Sequence, residues 1–435
     1  MMNLVNVWSI SLVAHAVLSR VKDYTPAGSV FPVESYHGFI GVNHNGNDIF
    51  YWMFPSQNAP ATDPLCVWLN GGPGTSSMFG LLSENGPFLI DDTTSKPVIN
   101  PSSWNQKCNM IYIDQPVGVA MSHALQREWP ETQIESSNTM VEFFTRFMEF
   151  YPEFQGRKLF IFGESYGGHY IPYIAEALYN TSNFNLAGIG IGNGYIDVAN
   201  QYPQYAEYAN LPENQNYTKI TPGIMSKVVP LFKTCQNLII SSSVLQRDLS
   251  LWDFCESISD MIVYDPITGE EKFDEYDIRN SGESAKLSAK QREVKLGNFY
   301  NFMNTPEVMN ELRADKPWNG GTNGFFGWMI RRDWLTNCSL PLGRLLDNNL
   351  NVLIYNGKMD YICNWVGNKA VLDHMNWNGK AAWQNVNQSD YHGYGQVWKL
   401  NNLQFVTIEG AGHMVPSNQP VNSLDMFNRF LQNQS

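Results

Sequence analysis

Basic charge is scarce in this chain. Lys and Arg number 28 against 41 Asp and Glu, giving a formal net charge of -13 and a pI near 5.1. So acidic a surface excludes binding along a nucleic-acid backbone, which needs a basic face. Long apolar runs are missing as well: after Leu18 no stretch approaches the roughly 18 to 20 residues that span a bilayer. Nothing repeats at a fixed period, and there is no long low-complexity tract. His, Cys and carboxylates do not gather at metal-ligand spacing, and no glycine-rich phosphate cradle is present, so no metal or other cofactor is expected. What remains is a chain of 435 residues, 43% hydrophobic and 13% aromatic, able to bury a large core. That length fits one big domain carrying an insertion, or two domains.

The N-terminus reads as an address. Residues Leu4 to Leu18 are mostly apolar and Ala14-His15-Ala16 offers a small-x-small cleavage site, although no Lys or Arg precedes the run. A signal peptide over residues 1–19 is therefore expected, with no membrane attachment once it is cleaved. Sequons at Asn180-Thr181-Ser182, Asn216-Tyr217-Thr218, Asn337-Cys338-Ser339 and Asn387-Gln388-Ser389 agree with entry into the secretory pathway. The destination is either secretion or a vacuolar or lysosomal compartment. Six cysteines in an exported protein suggest disulfides. Cys235 and Cys255, close together in an irregular region, are expected to pair. Cys66, inside the strand-like run Leu65–Leu69, is expected to be a buried free thiol.

Short apolar runs recur at Leu65–Leu69, Met110–Ile113, Leu159–Phe162, Leu186–Ile191, Val352–Tyr355 and Phe405–Ile408, each reaching Gly, Asn or Asp within two residues. Unbroken runs of this length predict strands of a mostly parallel sheet covered on both faces. Helical spacing links Met140, Val141, Phe144, Phe147, Met148 and Tyr151, and again Val421, Leu424, Phe427 and Leu431. Strands alternating with helices make the class α/β. Residues 200–325 break that rhythm: they are rich in Asn, Tyr, Ser and Pro and carry the charge-dense stretch Gly269–Arg292. They read as a cap inserted into a core made of residues 20–199 and 326–435.

Gly163-Glu164-Ser165-Tyr166-Gly167 follows a strand and opens a helix running through Leu178. A serine on such a strand-to-helix elbow sits in a strained, exposed turn at a helix N-terminus, which favours developing negative charge. It needs a base, and the base needs an orienting carboxylate. In the α/β-hydrolase order of Ser, acid, His, the strand Val352–Tyr355 leads to Asp360, and Phe405–Ile408 leads to His413. Both lie at strand C-termini, where open α/β sheets place their sites. His169, one turn beyond Ser165, points down the elbow helix and reads as a packed residue. His123, His374 and His392 lack a strand-end setting.

These segments also carry a specific likeness. Gly163 to Pro172 resembles the serine signature of the serine carboxypeptidases. So, in family order, do Trp68-Leu69-Asn70-Gly71-Gly72-Pro73-Gly74, Asp114-Gln115-Pro116-Val117-Gly118, Asp360 to Trp365 and Gly410 to Pro416. The resemblance implies an α/β-hydrolase that removes the C-terminal residue of peptides and proteins through an acyl-enzyme, favoured in acid. By it, Ser165, Asp360 and His413 form the triad, and the N–H groups of Gly72 and Tyr166 form the oxyanion hole. Trp68, Asn70, Gly71, Glu84 and Glu164 hold the substrate's free carboxylate. Met414 lines the pocket of the leaving residue, and Cys363 is a free thiol beside Asp360. Two adjacent carboxyls cannot both ionise readily, so a shared proton can be donated to the substrate. One departure stands out: where the family follows Gly-Pro-Gly with a cysteine disulfide-linked toward the cap, this chain has Thr75. The same scaffold also serves acyltransferases and esterases. A catalytically silent binding protein is disfavoured because no triad position is lost.

Overall fold

The computed structural model describes residues 20–43, 45–242, 249–322 and 324–432. The expected signal peptide lies outside the described residues. Eleven strands form one sheet: β1 (Arg20–Thr25), β2 (Ser35–Val42), β3 (Asn47–Phe54), β4 (Leu65–Leu69), β5 (Asn109–Ile113), β6 (Lys158–Ser165), β7 (Asn185–Gly194), β8 (Asn351–Gly357), β9 (Ser389–Asp390), β10 (Gly395–Leu400) and β11 (Leu403–Ile408). Their spatial order is β1-β2-β3-β5-β4-β6-β7-β8-β11-β10-β9. The centre, β5 through β11, is parallel, and antiparallel strands flank it on both sides. Every strand read from an unbroken apolar run belongs to that parallel centre.

Apolar residues fill both faces of the centre, which is why its strands show no alternation. On one face lies α2 (Gln133–Phe150), capped by Thr132, whose hydroxyl accepts the Glu135 N–H at 3.2 Å. It buries Met140, Phe143, Phe144 and Phe147. Tyr151 falls just past the helix end but stays in the core, its hydroxyl 2.8 Å from that of Tyr51. The elbow helix α3 (Gly167–Thr181) packs beside α2. On the opposite face α7 (Pro420–Gln432) stacks Phe427 on Trp104 at 4.3 Å and tilts it against Phe162.

One cysteine assignment changes. Cys66 is bonded to Cys108, with Cα atoms 6.0 Å apart, so it is not a free thiol. Its run is a β4 strand as expected, but Cys108 immediately precedes β5, the parallel neighbour of β4, and this adjacency brings the two sulfurs together. The Cys235–Cys255 pair forms as expected, clipping α4 (Pro222–Ser241) to α5 (Leu249–Val263). Cys338 and Cys363 are free and buried.

Between β7 and β8 the chain leaves the sheet. This stretch holds α4, α5, a hairpin of Phe273–Asp274 with Asp277–Ser281, and the long helix α6 (Glu283–Met303). Two of its segments grip the loops at the strand C-termini. The hairpin receives the N–H groups of Tyr361 and Ile362 on Glu275 O, both at 3.0 Å, and that of His413 on Tyr276 O at 2.8 Å. Residues 318–322 pair with the loop after β4: Thr75 bridges Gly321, Ser76 N–H donates to Gly320 O at 2.9 Å, and Thr322 N–H donates to Gly74 O at 3.1 Å. A backbone ladder therefore occupies the place where the family resemblance implied a disulfide.

Candidate active site

Ser165 ends β6 with φ at +58°, a left-handed conformation that costs a non-glycine residue about 1 to 3 kcal/mol. Sheet packing holds the turn in place: the Tyr195 N–H donates to Ser165 O at 2.9 Å. The close approach at the elbow requires glycine. A Cβ on Gly163 would lie 2.2 Å from Leu69 O, and one on Gly71 would lie 2.4 Å from Tyr166 N and 2.9 Å from Ser165 Cβ. The Gly71-Gly72 backbone thus runs directly against the first amide of the elbow helix.

That loop is braced from below. Asp114, at the end of β5, accepts the Ser76 hydroxyl at 2.7 Å, Ser77 N–H at 2.9 Å and Met121 N–H at 3.1 Å. Burial lifts its carboxyl to about 6 against those hydrogen bonds. The motif beginning at Asp114 was visible in the sequence; its function as a brace was not.

Asp360 and His413 meet as chain order predicts. His413 Nδ1 lies 2.9 Å from Asp360 Oδ2, and both side chains are buried. The same oxygen accepts Asn193 Nδ2–H at 2.6 Å, while Asn193 Oδ1 accepts the Gly357 N–H at 3.1 Å. Burial disfavours the His413 imidazolium, but the charge and hydrogen bond of Asp360 outweigh it and raise the imidazole above its ordinary value. Asn193 escaped sequence reading, although its place at the end of β7 in Gly192-Asn193-Gly194 was the available signal. Tyr276 was missed too; its ring meets His413 edge-on at 5.1 Å. His169 is buried, with its ring nitrogens at Tyr195 O (2.8 Å) and Trp334 O (3.0 Å), so both are engaged by backbone carbonyls rather than by Ser165.

Beside the elbow sit two buried carboxyls, Glu84 and Glu164, joined by a hydrogen bond. Asn70 Nδ2–H donates to Glu164 Oε1 at 2.9 Å. Asn70 is itself aimed by Trp68 Nε1–H at 2.8 Å and Gly80 N–H at 2.9 Å, both donated to its Oδ1. Trp68 is wholly buried, so it reaches this group through Asn70. Burial, then the charge of Glu84, pushes the Glu164 carboxyl well above the usual range. Burial also raises Glu84, against hydrogen bonds from Glu164 and Asn70 that pull it down. The pair therefore keeps a proton into conditions where ordinary carboxyls have lost theirs.

The profile of the serine carboxypeptidase family matches residues 26–433. The chain belongs to the serine carboxypeptidase family. Carboxypeptidase Y homolog A of Arthroderma otae is 34% identical over 444 residues, covering 95% of this chain and 77% of the relative. Carboxypeptidase Y of Candida albicans is 33% identical over 428 residues, covering 95% and 76% respectively. Among solved structures, Kex1(delta)p, a prohormone-processing carboxypeptidase from Saccharomyces cerevisiae, aligns with a TM-score of 0.78 at 25% identity, covering 94% of this chain and 93% of that one.

In this serine carboxypeptidase the remaining expected residues fall around the same centre. Cys363 is a buried free thiol whose sulfur lies within 4.8 Å of ligand atoms of Asp360 and His413. Met414, next to His413, lines a cleft of about 550 Å³ between α6 and residues 414–418. Replacing Gly71 with Ala in this carboxypeptidase should lower kcat/KM for an N-blocked dipeptide at least about a hundredfold, the scale of one lost oxyanion donor. Steady-state kinetics on the folded variant checks this.

Proposed function

We propose that this enzyme releases the C-terminal residue of peptides and proteins by way of an acyl-enzyme on Ser165, most efficiently in acid. His413 takes the Ser165 proton as the hydroxyl attacks the scissile carbonyl, and Asp360 holds the imidazole and offsets its charge. The Gly72 and Tyr166 N–H groups receive the oxyanion, a role supported by the contact of Gly71 with Tyr166 N. His413 then protonates the leaving amine, and water repeats the sequence on the ester. Residues 200–325 act as the cap over this site.

The observation that carries the exopeptidase reading is the hydrogen-bonded pair of Glu84 and Glu164, held by Asn70 next to the nucleophile. A protonated carboxyl and the Asn70 amide can donate to a substrate carboxylate, and only a chain end supplies one there. Gly71 keeps the approach open, and Trp68 aims Asn70. Met414 contributes to the leaving-residue pocket.

Export to a secreted, vacuolar or lysosomal destination fits two features. The sequon residues Asn180, Asn216 and Asn387 are exposed, and two disulfides are formed. Asn337 differs, being half-buried with its Oδ1 accepting the Ser339 N–H and hydroxyl. No helix among the described residues is long and apolar enough to cross a membrane.

Timed release of the last residue from an N-blocked dipeptide, beside the same dipeptide amidated at its C-terminus, tests the assignment. The free acid should be cleaved at least about tenfold better at acid pH, the cost of leaving one charged hydrogen-bonding group unmatched. Equal rates would refute carboxylate recognition. Transfer to an alcohol in preference to water would favour the acyltransferase alternative.

A further inference from the structure

Helix α6 crosses the cleft beside Met414, and its inner edge is basic. Lys290, Arg292 and Lys295 line the cleft against a single carboxylate, Asp92. Arg292 is already committed to Asp274 and lies over the Tyr276 ring. Lys290 is exposed, and Lys295, like Arg292, is half-buried. The Lys295 ammonium sits 5.9 Å from the Phe299 ring centroid, and Phe299 in turn packs edge-on against Phe79 at 5.8 Å. Phe79 lies on α1 (Met78–Ser83), the short helix that ends at Glu84. These ring contacts tie the Lys295 turn of α6 to the helix that ends at Glu84, and Glu84 feels the charges of both His413 and Lys295. Two side-chain hydrogen bonds fix α6 there: Asn298 donates to Asp92 O at 2.7 Å and accepts the Ser95 hydroxyl at 2.8 Å.

A substrate with its α-carboxylate on Glu84 and Glu164, and its scissile carbonyl at Ser165, has its last Cα between those groups and Met414. Met414 directly follows His413 and lines the same cleft as Lys295, and that cleft offers room for the last residue's side chain. We propose that Lys295 is a specificity-determining residue that makes this enzyme favour an acidic leaving residue, Glu or Asp, over an apolar one, and disfavour Lys. This rests on the carboxypeptidase assignment above and specifies its substrate class.

The test compares N-blocked dipeptides that differ only in the last residue, Glu, Leu or Lys, using the full chain and its Lys295→Met, Lys295→Glu and Lys295→Arg variants. Fluorophosphonate labelling of Ser165 normalises for folded enzyme. In the wild type, kcat/KM should rank Glu first and Lys last, and the Glu to Leu ratio should grow from pH 4 to 6 as the substrate side chain ionises near about 4.3. Lys295→Met should cut the Glu to Leu ratio at least tenfold, Lys295→Arg should retain it, and Lys295→Glu should move the preference toward Lys. Unchanged ratios would overturn the proposal. So would an equal fall on all three substrates, which would place Lys295 at the α-carboxylate or in the fold. Failure of the broader assignment reads differently: the wild type would label at Ser165 yet release none of the three residues.

Discussion

Ser165→Ala is expected to abolish turnover, lowering kcat by about 10⁶-fold, the scale seen when a triad nucleophile is removed. The size of the effect follows from the interdependence of the three groups. His413 is aimed by Asp360 at 2.9 Å, and without a hydroxyl to deprotonate that alignment contributes little. Residual rate would come from the preorganised amides and from substrate positioning. Stability should change by no more than about 0.5 kcal/mol. Alanine keeps the Cβ, so the strain at φ +58° persists, and the surrounding hydrogen bonds are made by the backbone. Pre-steady-state product release measures the kinetic loss, and urea denaturation measures the stability. A variant that retained even a hundredth of wild-type kcat would remove Ser165 from the nucleophile's role.

The second large effect lies in pH dependence. Glu84 and Glu164 are both raised by burial, so the pair is protonated in acid and loses that proton as pH climbs through its raised values. A substrate carboxylate then meets an anionic pair instead of a donor. KM for N-blocked dipeptides should therefore rise at least about tenfold from pH 4.5 to 7.5, equivalent to one unit of differential protonation, about 1.4 kcal/mol. The double variant Glu84→Gln/Glu164→Gln cannot lose a proton, so its KM should stay flat over that range. His413 acts in the opposite sense, because its raised imidazole must be neutral to accept the Ser165 proton. That requirement acts on kcat at the acid end, in the variant as in the wild type. Folding stability is linked to the same pair: the folded state holds a proton that the unfolded chain releases near about 4.3. Wild-type stability should therefore fall as pH rises from there through the raised values, and the double variant should fall less. A KM profile that kept its wild-type slope in the variant would exclude the pair from carboxylate recognition.

Much of this was legible before any coordinates. The parallel centre announced itself because strands buried on both faces are apolar nearly throughout, as Leu65–Leu69 and Leu159–Phe162 are. The same rule hid the flanks. Ser35–Val42 is interrupted by His37, Gly38 and Gly41, and Gly395–Leu400 carries Gln396 and Lys399. Neither reads as an unbroken run, and neither is joined to its neighbour by a crossover helix. The pairing of Asp360 with His413, and the elbow at Ser165, were readable from strand ends in chain order. Their supports were not: Asn193, Asp114 and Tyr276 act across loops whose contacts depend on tertiary approach, and Asn, Asp and Tyr in loops carry no period. The same limit explains Cys66, since strand neighbours 42 residues apart cannot be recognised from local pattern.

The main-chain ladder between residues 74–76 and 320–322 has a consequence for how this family member can change. All six cysteines are described, and neither bridge crosses from the stretch between β7 and β8 to the sheet. That stretch is fastened at the Thr75 end by main-chain amides and carbonyls, joined by the Trp318 indole N–H donating to Ser76 Oγ at 2.9 Å and the Thr322 hydroxyl donating to Gly118 O at 2.7 Å. A cross-link depends on two particular side chains; this ladder depends instead on glycine rungs, because a Cβ on Gly321 would lie 2.6 Å from Gly74 O, and Gly74 and Gly320 have φ of +86° and +76°. Sequence change in the stretch between β7 and β8 can therefore spread away from these rungs, while the glycines at 74, 320 and 321 keep its register against the loop after β4.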